Sequence, residues 1–136
     1  PRLAAQILVV PALDLGGLGP FHRSSDDARR ARARQMQAYL GDTDPRHPLA
    51  SPAISANPEG LPSAVIVTAQ FDEVALGGAE WAAKLRQAGI EVREHSYPMT
   101  HTIAEPATSA RMAEDLAADL AVVLVGSTSS PAVTIA

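Results

Sequence analysis

Two residues of this chain have the types and placing for acid–base chemistry. Asp72 ends the run Ser63-Ala-Val-Ile-Val-Thr-Ala-Gln-Phe-Asp72, and His101 ends Glu91-Val-Arg-Glu-His-Ser-Tyr-Pro-Met-Thr-His101. Each run reads as a β-strand, and reactive groups in an open α/β sheet gather beyond the carboxyl ends of its strands. A carboxylate that accepts the Nδ1–H of an imidazole fixes its tautomer and stabilises the imidazolium formed when Nε2 takes a proton. In the order acid then base, the pair makes two thirds of a nucleophile–acid–base triad. The third member has no counterpart in these residues: there is no cysteine, and no serine stands in a Gly-x-Ser-x-Gly turn. Taken singly, Asp72 reads as a turn former or helix cap and His101 as an ordinary loop histidine. Their shared position at two strand ends is what raises the chemical reading.

The elements that must position them follow from periodicity and punctuation. Gln6-Ile-Leu-Val-Val-Pro-Ala-Leu13 is a short β-branched run that meets Asp14-Leu-Gly-Gly, and it predicts a buried strand entering a glycine-rich loop. Ser24-Ser-Asp-Asp27 resembles a capping box ahead of a helix from Ala28 to Leu40. From Gly41 to Pro62 the prolines and aspartates predict a loop of fixed turns. A helix opened by Gly77-Gly78 runs to Ala88, with Trp81, Leu85 and Ala88 on one face and Gly89 as its stop. Val92 to Tyr97 is polar enough for a sheet edge. Pro106 then starts a helix striped by Met112, Leu116, Leu120 and Val123. The order of elements predicts an α/β domain with three parallel strands, about 6–13, 64–70 and 91–97, joined by right-handed crossovers with flanking helices. Residues 1–125 form that domain, and 126–136 have the composition of a flexible tail.

Composition removes several alternatives. At 136 residues the chain suits one domain. A net charge of −4 argues against a nucleic-acid partner. The run Arg29-Arg-Ala-Arg-Ala-Arg34 adjoins Asp26 and Asp27, and reads as a solvated helix face. His22, His47 and His95 lack metal-ligand spacing, so no metal or cofactor is expected. No apolar segment approaches the roughly 18–20 residues of a membrane span. A cytoplasmic protein is the default expectation.

Several short blocks, in order and at matching separations, resemble the C-terminal part of α/β-hydrolase esterases of the hormone-sensitive-lipase-like group. They are Val9-Val-Pro-Ala-Leu-Asp14, Asp44-Pro-Arg-His-Pro-Leu-Ala-Ser-Pro52, Gly60-Leu-Pro-Ser-Ala-Val-Ile-Val-Thr-Ala-Gln-Phe-Asp72, Ala79-Glu-Trp-Ala-Ala-Lys-Leu-Arg-Gln-Ala-Gly89 and Tyr97-Pro-Met-Thr-His101. The resemblance implies a partial α/β-hydrolase fold comprising its last three strands. It also implies Asp72 as triad acid, His101 as triad base, and a small to medium acyl ester as substrate, with residues 14–50 helping to line the pocket. The chain departs from the family at Glu73-Val-Ala-Leu-Gly-Gly78 after the acid, and at Thr102-Ile103 after the base. Between Pro98 and Met99 it also lacks a glycine common in the family, and an uncompensated shift of that size would cost about 100-fold in rate. The nucleophile elbow and the His-Gly-Gly-Gly oxyanion stretch have no match; Ser24, Ser25, Ser51, Ser55 and Ser63 all lack the flanking glycines.

Two functions follow as expectations. In one, the chain supplies acid and base of a serine carboxylesterase or lipase and is inactive alone, its nucleophile coming from an upstream segment or partner chain. In the other, it is a non-catalytic remnant acting as a binding or dimerisation module. Either way, the unpaired edge of strand 7–13 predicts self-association or capture of an N-terminal partner chain.

Overall fold

A computed structural model describes residues 3–15 and 26–128. The elements run β1 (Gln6–Val9), α1 (Asp26–Leu40), α2 (Pro52–Ser55), β2 (Ala64–Ala69), α3 (Ala75–Gln87), β3 (Val92–Tyr97) and α4 (Pro106–Thr128). The strands form one parallel sheet in the order β1-β2-β3, as the sequence predicts. β2 is buried at all six positions, which explains its unbroken apolar run. Its pleat divides the core in two. Ala64 and Ile66 join Trp81, Ala82 and Leu85 of α3, while Val67 and Ala69 join Tyr97 and Met99 against Met112 and Leu116 of α4.

β1 stops at Val9, four residues short of the expected end. Val10 has φ +48°, a costly conformation for a β-branched residue, and the more so before Pro11. The turn holds because the Val10 N–H still donates to the Val67 carbonyl at 2.8 Å and the side chain is buried. It throws residues 11–15 across the start of α3, where Gly77 and Gly78 let the chain pass. A Cβ on Gly78 would lie 2.9 Å from Cγ2 of Thr68, and one on Gly77 would lie 3.3 Å from the Asp14 nitrogen. Ser51, fully buried, clamps the same segment: its Oγ accepts from the Leu15 N–H at 2.7 Å and donates to the Pro45 carbonyl at 2.6 Å.

Three smaller expectations also shift. The proline-rich connection contains the single turn α2, whose Ala53 N–H donates to the Leu13 carbonyl. Ala88 is exposed rather than on the buried face of α3, because the helix ends at Gln87. Helix α4 continues through Gly126–Thr128, where the tail was expected to begin; its apolar stripe carries the last turn past a single glycine. The capping residues Ser24 and Ser25, His22, and residues 129–136 lie outside the described residues. No described helix is long and apolar enough to cross a membrane.

α4 docks on β3 through polar groups as well as apolar ones. Arg93, His95 and Tyr97 share one face of β3, and Asp115 and Asp119 lie one turn apart on α4. His95 Nε2 lies 2.6 Å from Asp119 Oδ2, Arg93 Nη1 donates to Asp119 Oδ1 at 3.1 Å, and the Tyr97 hydroxyl donates to Asp115 Oδ2 at 2.6 Å. The His95 and Tyr97 rings stack at 5.9 Å. Burial pushes the Asp119 carboxyl up, but the hydrogen bonds from His95 and Arg93 outweigh it and hold it below the ordinary carboxylate range.

Two outcomes test this packing. Gly78→Ala should destabilise the protein by roughly 1–3 kcal/mol through overpacking against Thr68, although alanine is the better helix former; a raised urea midpoint would contradict it. Burial, and then the Asp115 carboxylate, push the Tyr97 phenol up to about 12 from 10.0. Because the folded value is the higher one, Tyr97 contributes its full stabilisation below the unfolded value and loses it as pH rises through about 12. Tyr97→Phe should remove that part of the alkaline unfolding curve, read by circular dichroism against pH.

Candidate active site

The parallel register pairs Ala69 with Tyr97, so β2 and β3 end level with each other. Pairing then continues past the strands. The Gln70 N–H donates to the Tyr97 carbonyl at 2.9 Å, and the Phe71 N–H to the Met99 carbonyl at 3.1 Å. The two exit loops are thereby laced together, with Asp72 one residue beyond the lacing and His101 two.

Asp72 and His101 meet. His101 Nδ1 lies 2.7 Å from Asp72 Oδ2. The other carboxylate oxygen, Oδ1, accepts the Val74 N–H at 3.2 Å, and the Asp72 carbonyl receives the Ala75 N–H as α3 begins. Asp72 is therefore a turn former and a partner of the imidazole at once. Its side chain is 10% exposed and that of His101 is 56%, which leaves the carboxylate sheltered and the ring open to solvent. Engagement through Nδ1 leaves Nε2 available to a reacting group.

The base loop is held at both ends. Met99 is buried in the core, the Thr100 N–H donates to the Ile103 carbonyl at 3.0 Å, and Ala104 packs against the same core cluster as Met99. The glycine absent between Pro98 and Met99 does not part the pair.

Beside the pair opens a cleft of about 560 Å³, lined by Ala12, Leu15, Gln35, Met36, Tyr39, Asp72, Val74 and His101. Ala12 and Leu15 come from the segment after the Val10 turn, and Gln35, Met36 and Tyr39 from one stripe of α1. Expectation placed residues 14–50 near the site but did not single these out. Their i, i+1, i+4 spacing on a strongly polar helix is the signal that was available.

The other two described histidines do other work. His47 Nδ1 accepts the Leu49 N–H at 3.2 Å in a turn, and His95 belongs to the β3–α4 contact. Arg30 pairs with Asp27 at 2.8 Å on an exposed helix surface, as expected for the arginine run.

A sequence profile described as alpha/beta hydrolase fold matches residues 1–105. No curated protein matches. Solved structures do. Brefeldin A esterase, described as a bacterial homologue of human hormone-sensitive lipase, superposes with a TM-score of 0.70 at 18% identity over 90% of this chain and 40% of its own. A bacterial heroin esterase gives 0.62 at 26% identity over 85% and 41%, and a thermostable esterase from Pseudomonas putida gives 0.58 at 25% identity over 75% and 34%. The chain thus spans 34–41% of the length of these three esterases. With three parallel strands and a profile match over most of its length, the chain belongs to the α/β-hydrolase fold family.

Proposed function

We propose that this chain carries the acid and base of a serine carboxylesterase, Asp72 orienting His101 and His101 acting as general base and then general acid. The hydrogen bond between Asp72 Oδ2 and His101 Nδ1, with the ring open to the cleft, is the observation that carries this reading. In the reaction, His101 Nε2 takes the proton of a serine hydroxyl as it attacks the ester carbonyl. It returns that proton to the alcohol that leaves, and the cycle repeats with water to release the acid. Asp72 stays ionised and stabilises the imidazolium between the two transfers. The largely apolar walls from Ala12, Leu15, Met36 and Val74 support a small to medium acyl ester as substrate.

The nucleophile and the oxyanion donors come, in this reading, from polypeptide that joins the sheet beside β1. Among the described residues β1 pairs with β2 alone. Ile7 and Val9 lie alongside Val65 and Val67, yet they remain 43% and 47% exposed because α4 covers β2 and β3 only. An apolar strip of that kind calls for a cover. The same strip favours the second reading, a non-catalytic module that self-associates there.

The test is fluorophosphonate labelling with intact-mass readout, beside turnover of a short-chain nitrophenyl ester. The 136-residue chain alone should be neither labelled nor active. Co-expressed with the nucleophile-bearing half of a similar esterase, it should give one label and turnover, with about a 10⁴-fold loss of kcat in Asp72→Asn and at least as much in His101→Ala. Labelling and turnover by the chain alone, both lost in His101→Ala, would show that one of its own serines is the nucleophile. A stable dimer with no activity in either format would favour the second reading.

A further inference from the structure

The β3–α4 contact is richer in charge than docking a helix requires. Apolar side chains already join the two elements, with Met112 and Leu116 of α4 packed against Tyr97 and Met99. Burying a carboxylate costs desolvation that must be repaid by well-aligned partners. Asp119 is 8% exposed and has two such partners, Arg93 and His95; Asp115 has the Tyr97 hydroxyl. What these bonds add over grease is direction. Two residues of strand advance about 6.6 Å and four of helix about 6 Å, so positions 95 and 97 match 119 and 115 in only one axial register. Arg93, at the next strand position on that face, completes the Asp119 end.

That register bears on the base. His101 stands on the eight residues 98–105, strung between the end of β3 and the start of α4. The segment's own ties are the buried Met99, whose carbonyl accepts the Phe71 N–H, the Thr100–Ile103 turn, and Ala104 against the core cluster that Met112 and Leu116 of α4 also cover. A slip of α4 by one turn would drag the end of that segment by about 5.4 Å. Met99 fixes where the segment leaves the core; beyond it the His101 side chain, more than half exposed, has the Asp72 bond to orient it.

We infer that Arg93, His95 and Tyr97 of β3, with Asp119 and Asp115 of α4, are positioning residues that lock the axial register of α4 and so hold His101 Nδ1 on Asp72. This rests on the reading of Asp72 and His101 as the acid–base pair, and it assigns that pair a support on the opposite side of β3's loop. None of the five touches the cleft beside His101. Their effect is carried by the segment 98–105.

The decisive readout is the tautomer of His101 in the full 136-residue chain, from long-range proton–nitrogen NMR at a pH where the ring is neutral. The parent chain should hold the Nδ1–H form. Asp119→Asn, and the milder Tyr97→Phe should the first fail to fold, should each shift the Nδ1–H to Nε2–H ratio about fivefold toward Nε2–H, the effect of one hydrogen bond weakened. Ala82→Gly, which loosens α3 on the other face of the sheet, should lower stability and leave the ratio unchanged. An unchanged ratio in folded Asp119→Asn and Tyr97→Phe, the variants of the β3–α4 polar ladder, would overturn the inference, as would an equal shift in Ala82→Gly. Asp72→Asn separates the two levels. If it moves the ratio and the ladder variants do not, the acid–base pair stands and the ladder is structural only. If Asp72→Asn leaves the ratio where it was, the pairing itself falls and the inference falls with it.

Discussion

The geometry of the site descends from the parallel register of β2 against β3. Both strands end at the same level, and two further backbone bonds continue the pairing into the loops. Once that pairing closes, an acid three residues past Ala69 and a base four residues past Tyr97 emerge at the same end of the sheet. The register in turn depends on the burial of β2. Val65, Ile66 and Val67 have no exposure, each worth about 1.5–3 kcal/mol of transfer from water. A slip by one residue would exchange the α3 and α4 faces and undo both halves of the core.

The two outer strands meet their neighbours differently. β3 is polar along one face and still well anchored, because Arg93, His95 and Tyr97 find carboxylates on α4. β1 is apolar and poorly covered, with Ile7 and Val9 near half exposure and Leu3 at 74%. A polar strand can end a sheet without inviting another chain, whereas an apolar one cannot. Among the described residues the sheet thus has one well-covered side and one exposed apolar side, and the exposed side lies next to the segment that lines the cleft. In the proposed function this is where a nucleophile-bearing segment would join, so completing the fold and completing the triad become one event.

These contrasts mark what was legible in the sequence. Ala64–Ala69 was plain, because a strand buried on both faces needs no alternation. So was Trp81, 4% exposed beneath the sheet. The end of β1 was not, because nothing in Val9-Val-Pro announces a left-handed valine; only tertiary bonds make that conformation tolerable. The polar contact between β3 and α4 was missed for a different reason. Arg93, Glu94, His95 and Ser96 look like a solvent-facing edge, and Asp115 and Asp119 look like the polar stripe of an amphipathic helix. Polar residues that will satisfy each other across two elements carry the same pattern as polar residues that face water. Spacing offered one clue, the match of i, i+2, i+4 on a strand to i, i+4 on a helix, and it becomes visible only once the two elements are known to be neighbours.

The base loop, without the glycine common in the family it resembles, still brings His101 to 2.7 Å from Asp72. The loop is measured from two anchors, and neither moves with its length. Asp72 is pinned by the turn it forms: Oδ1 on the Val74 N–H and its carbonyl on Ala75 fix the carboxylate to the start of α3, whatever the base does. Met99 is pinned by the core and by the Phe71 N–H, so the chain re-enters the same frame just before His101. A residue removed ahead of Met99 changes the path into that anchor and not the path out of it. The carboxylate that a cautious reading takes for a turn former is effective toward the imidazole because it is one; a side chain already held by the Val74 N–H loses little further entropy in accepting a second hydrogen bond.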